Sequence, residues 1–319
     1  MRQFHQKLQR WYAAHGRRDL PWRNTRDVYA IYLSEVMLQQ TQVETVRTRF
    51  YPQFLKNFPT LGALAKASEK DVLSAWQGLG YYSRARNLHK AAQACKGALP
   101  KTVEGLLALS GVGKNTAHAV AAFGYHHPVP VMEANVKRVL CRIFALEKPS
   151  EKELWEKAEA LLDANNPFDY NQAMMDIGAG VCTKRAAKCV ECPASEICEG
   201  KKTYEAYPQA KKKKTVPVRR KNILVMMDRE GRVASTPRTT RFLHGLYHFT
   251  EQEAPPPAHA EKLGYISQSY SHFTLEAAVY VVRTNSAQPY SIKQLHALPM
   301  SMAEKKILQL LAGRATNRA

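Results

Sequence analysis

Four of the six cysteines in this chain are gathered in residues 182–198, and this cluster constrains the fold more than any other feature. Their spacing is Cys182-x6-Cys189-x2-Cys192-x5-Cys198. In a reducing compartment, thiols crowded on one short loop indicate a metal site rather than disulfides. Four thiolates suit either tetrahedral zinc or a [4Fe–4S] cluster. The single Cys-x2-Cys pair favours the cluster, because zinc ribbons usually pair two such knuckles.

The charge balance points to a polyanionic partner. The 319 residues include 47 Lys and Arg against 27 Asp and Glu, a net charge of +20. Nucleic acid is the default partner for such an excess, and the alternative is a solvated basic surface. No apolar run reaches the ~18 residues that cross a bilayer, and the first residues lack the apolar core of a secretory signal. We therefore expect a cytoplasmic, nucleoid-associated protein with no membrane partner.

Two regions of different character follow one another along the chain. Residues 1–206 carry apolar side chains at helical spacing, broken by short Gly and Pro turns. Residues 207–221, with two prolines and the run Lys211–Lys214, predict a basic linker. Residues 222–319 predict a small α+β domain. Its expected elements are strands at Asn222–Met227, Leu246–Phe249 and Leu275–Val282, and a closing helix at 303–312.

A glycine turn lies between two predicted helices. In Leu107–Ala117, Gly111 and Gly113 interrupt the helical pattern and a new helix begins near Lys114. Glycines let the backbone turn with positive φ and approach another surface closely. The free amides at the start of the second helix favour a phosphate. The pattern predicts a helix-hairpin-helix DNA clamp, and the alternative is a plain helix–helix turn.

A helix-hairpin-helix followed by this cysteine loop resembles the endonuclease III-like base-excision glycosylases, and within them the MutY-type adenine DNA glycosylases. Four further strings carry the resemblance: Leu20–Arg23, Ser34–Val43, Gly78–Leu88 and Asn171–Gly178. The resemblance implies a mainly α glycosylase region with an iron–sulfur loop and a Nudix-like α+β C-terminal domain. The helical region would divide into a six-helix module at about 24–128 and a cluster module made of 1–23 and 129–206.

The resemblance also implies an activity. A monomer holding one [4Fe–4S] cluster on Cys182, Cys189, Cys192 and Cys198 would remove adenine mispaired with 8-oxoguanine or guanine in double-stranded DNA, after flipping the base out. Glu35 matches the acid that protonates adenine. Glu133 stands where the family has an Asp that stabilises the oxocarbenium-like sugar, and Asn135 matches a supporting residue. Since Glu adds one methylene, we expect a slowed enzyme.

The remaining candidate residues also follow from the match. Arg23 and Gln172 match the adenine pocket. Asn115 stands where bifunctional relatives carry a Schiff-base lysine, which predicts a monofunctional enzyme. The expected DNA and lesion contacts are Gln39, Gln40, Tyr82, Gly111, Gly113, Lys114, Asn115, Lys137, Ser271 and His272. Two alternatives stay open: a catalytically weak protein that binds A:8-oxoguanine lesions, and a mismatch glycosylase for another base such as thymine.

Overall fold

The computed structural model describes residues 1–209 and 215–316. Ala210–Lys214, which include the whole run Lys211–Lys214, lie outside the described residues. The helices of the first 209 residues are α1 (Arg2–His15), α2 (Val28–Met37), α3 (Val43–Thr45), α4 (Tyr51–Asn57), α5 (Leu61–Lys66), α6 (Glu69–Ala75), α7 (Ser83–Ala94), α8 (Val103–Leu107), α9 (Lys114–Tyr125), α10 (Ala134–Ile143), α11 (Glu151–Leu161) and α12 (Pro167–Asp176). Short 3₁₀ or π segments cover Pro21–Arg23, Val46–Phe50, Ile177–Val181 and Glu199–Ala206. The predicted helical character of this region is confirmed.

The chain divides into two compact units that do not follow the sequence order. The first unit contains Met1–Lys66 and Asn87–Lys212, and the second contains Ala67–Arg86 and Lys213–Ala319. A twenty-residue piece of the helical region, with α6 and the turn after it, therefore belongs with the C-terminal residues.

The first unit is built on helix packing. Its larger core joins the apolar side of α1, through Phe4 and Leu8, to α10, α11 and α12. A smaller cluster packs Ile31 of α2 against Ala119 and Phe123 of α9, together with Val131. Val131 lies in the extended segment between α9 and α10, so this core fixes one point of a stretch that has no secondary structure of its own.

The C-terminal part of the second unit is a mixed sheet with helices on one face. Its elements are β1 (Val218–Met227), β2 (Thr236–Pro237), β3 (Tyr247–His248), β4 (Thr250–Gln252), β5 (Glu261–Ser269), β6 (Thr274–Arg283), α13 (Ile292–Ala297) and α14 (Met302–Thr316). The sheet order is β4-β1-β6-β5, with β1 and β6 parallel, and β2 and β3 form a separate pair. Alternate residues of β6, such as Val279 and Val281, are buried in a core shared with Ile307 of α14. The predicted α+β character is confirmed.

The structure corrects three boundaries in this domain. β1 begins at Val218, inside the predicted linker, because its first residues pair along β6 although their side chains are exposed. β5, which was not predicted, is a polar edge strand beside β6. The closing helix extends over Met302–Thr316 rather than 303–312. Within the described part of the chain, no helix has the length and apolar character needed to span a membrane.

Candidate active site

Glu35 is a buried carboxyl on an apolar helix. It lies on α2, whose residues from Tyr29 to Met37 are all buried, and it is itself only 7% exposed. Among the described residues, none forms a hydrogen bond with its side chain. Burial, together with the nearby carboxyl of Glu133, raises the pKa of Glu35 to about 8, although Arg23 opposes the shift. Glu35 is therefore mostly protonated at neutral pH, as an acid that donates a proton must be.

Glu133 is the second carboxyl of the site. It occupies the N-cap position of α10 with an extended backbone, but its side chain does not cap the helix. Burial raises the pKa of Glu133, and the guanidiniums of Arg17 and Arg23 oppose that rise. Two carboxyls with two nearby cations form the kind of pair in which one group stays protonated while the other carries the charge.

Both arginines are held by one aspartate. Asp176 at the end of α12 accepts from the Nη1 and Nη2 atoms of Arg23 at 2.7 and 2.9 Å. It also accepts from the backbone nitrogen and Nε of Arg17 at 2.9 and 2.8 Å. These bonds hold the pKa of Asp176 below its ordinary value despite its burial. The sequence analysis identified neither Asp176 nor Arg17 as a site residue. Asp176 lies in the Asn171–Gly178 string, and Arg17 is one of two adjacent arginines, Arg17 and Arg18.

Arg23 and Gln172, the two predicted adenine-pocket residues, are both buried but differ in their hydrogen-bond partners. The terminal nitrogens of Arg23 are taken up by Asp176, and its buried Nε has no partner among the described residues. Gln172 is 3% exposed, and its amide bonds to no other described residue. Of these two side chains, only that of Gln172 therefore has hydrogen-bonding groups available to contact a base edge.

Asn135 and Asn115 support the segment that carries Glu133. Asn135 accepts from Arg138 at 3.0 Å and packs so closely on Gly178 that a Cβ added there would lie 2.8 Å from the Asn135 Cβ. Asn115, predicted at the DNA, instead accepts the backbone N–H of Met132 at 2.7 Å. Its observed contact is thus with the residue just before Glu133.

The predicted DNA contacts on the first unit are mostly exposed. Gln40 is exposed with φ of 58°, while Gln39 donates to Thr116 at 3.2 Å. The Lys114 ammonium lies 4.0 Å from the centre of the Trp155 ring. Lys137 donates to both carboxylate oxygens of Glu151 at 2.8 Å.

The glycine turn has one strained position rather than two. Gly111 has φ of 74°, and a Cβ there would lie 2.5 Å from Asn87. Gly113 has φ of −91° and N-caps α9, so its conformation suits any residue. Both glycines are exposed, which leaves the first amides of α9 facing solvent.

The structure buries Tyr82, the tyrosine predicted to insert into DNA, and exposes its neighbour Tyr81. Tyr82 is 5% exposed, and its hydroxyl donates to the backbone oxygen of Met300 at 3.0 Å within the second unit. Burial raises its pKa to about 12. Its neighbour Tyr81 is 45% exposed with φ of 47°. Tyr82 would have to leave its buried position to enter a base stack, whereas the exposed Tyr81 ring contacts the Arg84 guanidinium, 5.5 Å from the ring centre.

Ser271 and His272 line a cavity of about 360 Å³ inside the second unit, together with Tyr81. Both are exposed, and Ser271 Oγ lies 3.3 Å from His272 Nδ1. The ring of Phe242 lies 5.1 Å from the His272 ring in an edge-on contact and also touches Tyr270. The aromatic cluster fixes the loop that carries the two polar side chains.

The four clustered cysteines face one small cavity of the first unit, although none is bonded to another. In the described part of the chain, no three or more His, Cys, Asp or Glu side chains are arranged to hold a single metal ion. Arg142, 2% exposed, donates to Cys182 Sγ at 3.3 Å and to the backbone oxygen of Thr183 at 2.7 Å. Burial raises the pKa of the Cys192 and Cys198 thiols to about 11.

The comparison with known families agrees with this arrangement. Residues 33–164 match the model of the HhH-GPD superfamily base excision DNA repair proteins. Residues 33–164 therefore form an HhH-GPD domain. The matched region contains α9 with its glycine turn, and both Glu35 and Glu133.

Individual relatives are similar over about two thirds of this chain. The adenine DNA glycosylase of Buchnera aphidicola (subspecies Acyrthosiphon pisum) is 37% identical over 67% of this chain and 64% of its own length. The human adenine DNA glycosylase is 41% identical over 63% of this chain and 40% of its length. The match therefore spans less than two thirds of these relatives. A solved structure of a thermostable thymine-DNA glycosylase superposes with a TM-score of 0.58 at 29% identity, over 62% of this chain and 95% of that one.

Proposed function

We propose that this protein is a monofunctional DNA glycosylase that removes adenine mispaired with 8-oxoguanine or guanine. The support comes from the HhH-GPD match, the adenine DNA glycosylases among the relatives, and the chemistry of the two buried glutamates. The reaction breaks the N-glycosidic bond of a flipped adenosine and adds water to the sugar.

The burial of the Glu35 carboxyl on an apolar helix is the observation that carries the proposal. Adenine leaves readily only when a ring nitrogen gains a proton. Glu35 is buried, has no hydrogen-bonding partner among the described residues and has a raised pKa, so it holds a proton that it can donate. The Gln172 side-chain amide is available to orient the adenine through hydrogen bonds to the base edge.

Glu133 is proposed to face the sugar as the ring becomes oxocarbenium-like. The cations of Arg17 and Arg23 favour its anionic form, and Asp176 keeps them in place. Because Glu133 does not cap α10, its carboxylate is free to extend toward the site. The extra methylene slows the reaction, since a misplacement of about 1 Å can lower a rate by about 100-fold.

DNA binding is assigned to the glycine turn and the exposed residues near it. The amides that follow Gly111 and Gly113 suit a phosphate, and Gln40 suits contact with the bases. Lys114 and Lys137 add positive charge, although both have protein contacts that DNA must share or displace. Counterion release then makes affinity fall steeply with salt.

The cavity that holds Ser271 and His272 is proposed to receive the base opposite the adenine. Their hydroxyl and imidazole offer donors and acceptors to an oxidised purine edge, and Tyr81 offers a ring to stack against it. The domain would then act as a Nudix-like reader of 8-oxoguanine rather than as a hydrolase.

The cysteine loop is proposed to hold one [4Fe–4S] cluster. Cys182, Cys189, Cys192 and Cys198 line one cavity without the close grouping of a single-ion site, and a tetrahedral zinc would draw the sulfurs to roughly 4 Å from each other. Arg142 supplies positive charge beside Cys182. When bound, the cluster would pin the basic loop that contains Lys184, Arg185 and Lys188.

The cluster is tested by iron and sulfide content and visible absorbance of protein purified without oxygen. Cys192→Ser should lose iron, whereas Cys95→Ala, at a buried thiol outside the loop, should retain it. Zinc in place of iron, or equal iron in both variants, would contradict this assignment.

Single-turnover cleavage on matched duplexes tests the proposed reaction. The native protein should excise A opposite 8-oxoguanine, Glu35→Gln should lower the rate by about 100-fold or more, and Glu156→Gln, at an exposed site, should leave it unchanged. Binding without excision by the native protein, followed by excision in Glu133→Asp, would instead identify a lesion-binding protein with a degraded site.

A thymine target is the second candidate, because the thymine-DNA glycosylase superposes on 62% of this chain. A T:G duplex in the same panel separates the two. Faster release of thymine than of adenine would replace the proposed substrate while keeping the glycosylase chemistry.

A further inference from the structure

The segment that leads into Glu133 has no secondary structure to hold it. Residues 127–133 contain no helix or strand between α9 and α10, and two of them, Pro128 and Pro130, have no N–H to donate. Val131 and Met132 are nevertheless almost fully buried, at 1% and 2% exposure. Buried backbone groups in such a segment must be satisfied by side chains.

Three side chains satisfy them, one residue after another. Asn171 of α12 donates to the Val129 oxygen at 3.0 Å and accepts the Val131 N–H at 2.8 Å. His118 Nδ1 lies 2.9 Å from the Pro130 oxygen, and Asn115 accepts the Met132 N–H at 2.7 Å. Asn115 and His118 lie three positions apart on α9, so they share one face of that helix.

The last of these bonds is the one nearest the chemistry. Met132 is joined directly to Glu133, and beyond Glu133 the chain enters α10. The Glu133 backbone is thus fixed on one side by α10 and on the other by Asn115. Without the Asn115 oxygen, the Val131–Met132 peptide would lose its side-chain anchor, and the backbone that leads into Glu133 could rotate.

We propose that Asn115 is a positioning residue for the second carboxylate, acting with His118 and Asn171 as a side-chain clamp on residues 129–132. This inference rests on the proposed function, because it assigns Asn115 an effect that passes through Glu133. It gives Asn115 a role in aiming a carboxylate rather than in touching DNA. A glutamate has one more rotatable bond than an aspartate, so a fixed backbone matters more to it.

Asn115→Leu removes the acceptor at similar size, and Asn115→Asp retains an acceptor. Asn57→Leu is the matched control, since Asn57 is exposed and bonds only to Gln53 among the described residues. Each variant is measured in the full-length protein for single-turnover cleavage, for affinity to a duplex with a non-cleavable adenosine analogue, and for melting temperature. The leucine change is then repeated in a Glu133→Gln background.

We expect Asn115→Leu to slow cleavage by about 10- to 100-fold with affinity within about twofold, and Asn115→Asp to restore most of the rate. In the Glu133→Gln background the leucine change should have little further effect. An equal loss in both backgrounds, a fall in affinity or melting that tracks the rate, or no rescue by Asp would each overturn the proposal. If the Glu133→Gln background cleaves too slowly to measure, the affinity comparison and the Asp rescue decide. An inactive native protein would overturn the proposed function instead.

Discussion

Arg23 and Asp176 form a buried two-pronged ion pair, with nitrogen–oxygen distances of 2.7 and 2.9 Å. Each side chain is only 3% exposed. Because Arg17 binds the same carboxylate, one acidic group orders two cations beside the candidate catalytic glutamates. The pair therefore links the stability of the first unit to the electrostatics of its site.

Asp176→Asn should lower the free energy of unfolding by about 3–5 kcal/mol, since it leaves buried arginine charge without its counterion. Urea denaturation measures this. Glu196→Gln is the control, because it breaks only the exposed pair with Lys7 and should leave the stability nearly unchanged. If the two substitutions lowered the free energy of unfolding equally, the buried pair would contribute no more to stability than the exposed pair.

Cleavage should depend on the proton of Glu35. Its pKa is raised to about 8, chiefly by burial, and only the protonated acid can donate. The single-turnover rate should therefore fall about tenfold per pH unit above that pKa. A pH–rate profile from 5.5 to 10 measures it, with duplex affinity recorded at each pH. A rate that rises through this range would exclude Glu35 as the acid.

The same carboxyl should make stability depend on pH. In the folded protein Glu35 keeps its proton up to about pH 8, whereas in the unfolded chain it loses it near the ordinary glutamate value of 4.5. The folded state binds more protons between these values, so its stability decreases as pH rises through them. Glu35→Gln should therefore gain stability relative to the native protein, on the order of a few kcal/mol by pH 9. Chemical denaturation at pH 5 and pH 9 measures this. A stability difference between Glu35→Gln and the native protein that did not grow from pH 5 to pH 9 would refute the prediction.

Glu133→Asp should strengthen the start of α10. Aspartate is a preferred N-cap residue, and Glu133 leaves the first amides of the helix without a side-chain cap. We expect about 1 kcal/mol of added stability, seen as a higher melting temperature. Glu156→Asp, at an exposed helical site, provides the control. Lower stability together with slower excision would mean that the site is shaped for glutamate.

Tyr81 and Tyr82 should respond oppositely to truncation. Tyr81→Ala should weaken binding to a lesion duplex by about 1–3 kcal/mol, the range for a lost stacking contact, and leave the melting temperature unchanged. Tyr82→Phe should leave binding unchanged and lower stability by about 1 kcal/mol, because it removes the bond to Met300. Binding loss confined to Tyr82→Phe would restore the original prediction for that residue.

The sequence was sufficient for the helical region, the glycine turn and the buried acid, because each has a local signature. Glu35 lies in an apolar helix and Gly111 requires a positive φ, which the motif itself indicated. Which tyrosine of the pair is exposed could not be read locally. It depends on the backbone of Met300, more than two hundred residues away.

β1 and the role of Asn115 illustrate the same limit. Val218–Arg220 are exposed and mostly basic, so nothing in their side chains marks a strand, and the neighbouring β6 imposes one through backbone pairing. Asn115 looked like a surface residue at a helix start, and only the path of residues 129–132 shows what its oxygen binds.

The second unit is assembled from two stretches of chain separated by more than a hundred residues. During synthesis, Ala67–Arg86 leave the ribosome long before β6 and α14 exist. Tyr82 and Gln77, whose partners are the backbone oxygens of Met300 and Leu298, must wait for the end of translation. A ribosome that stalls before residue 298 therefore leaves this piece of the helical region without its partners, exposed to proteases and chaperones.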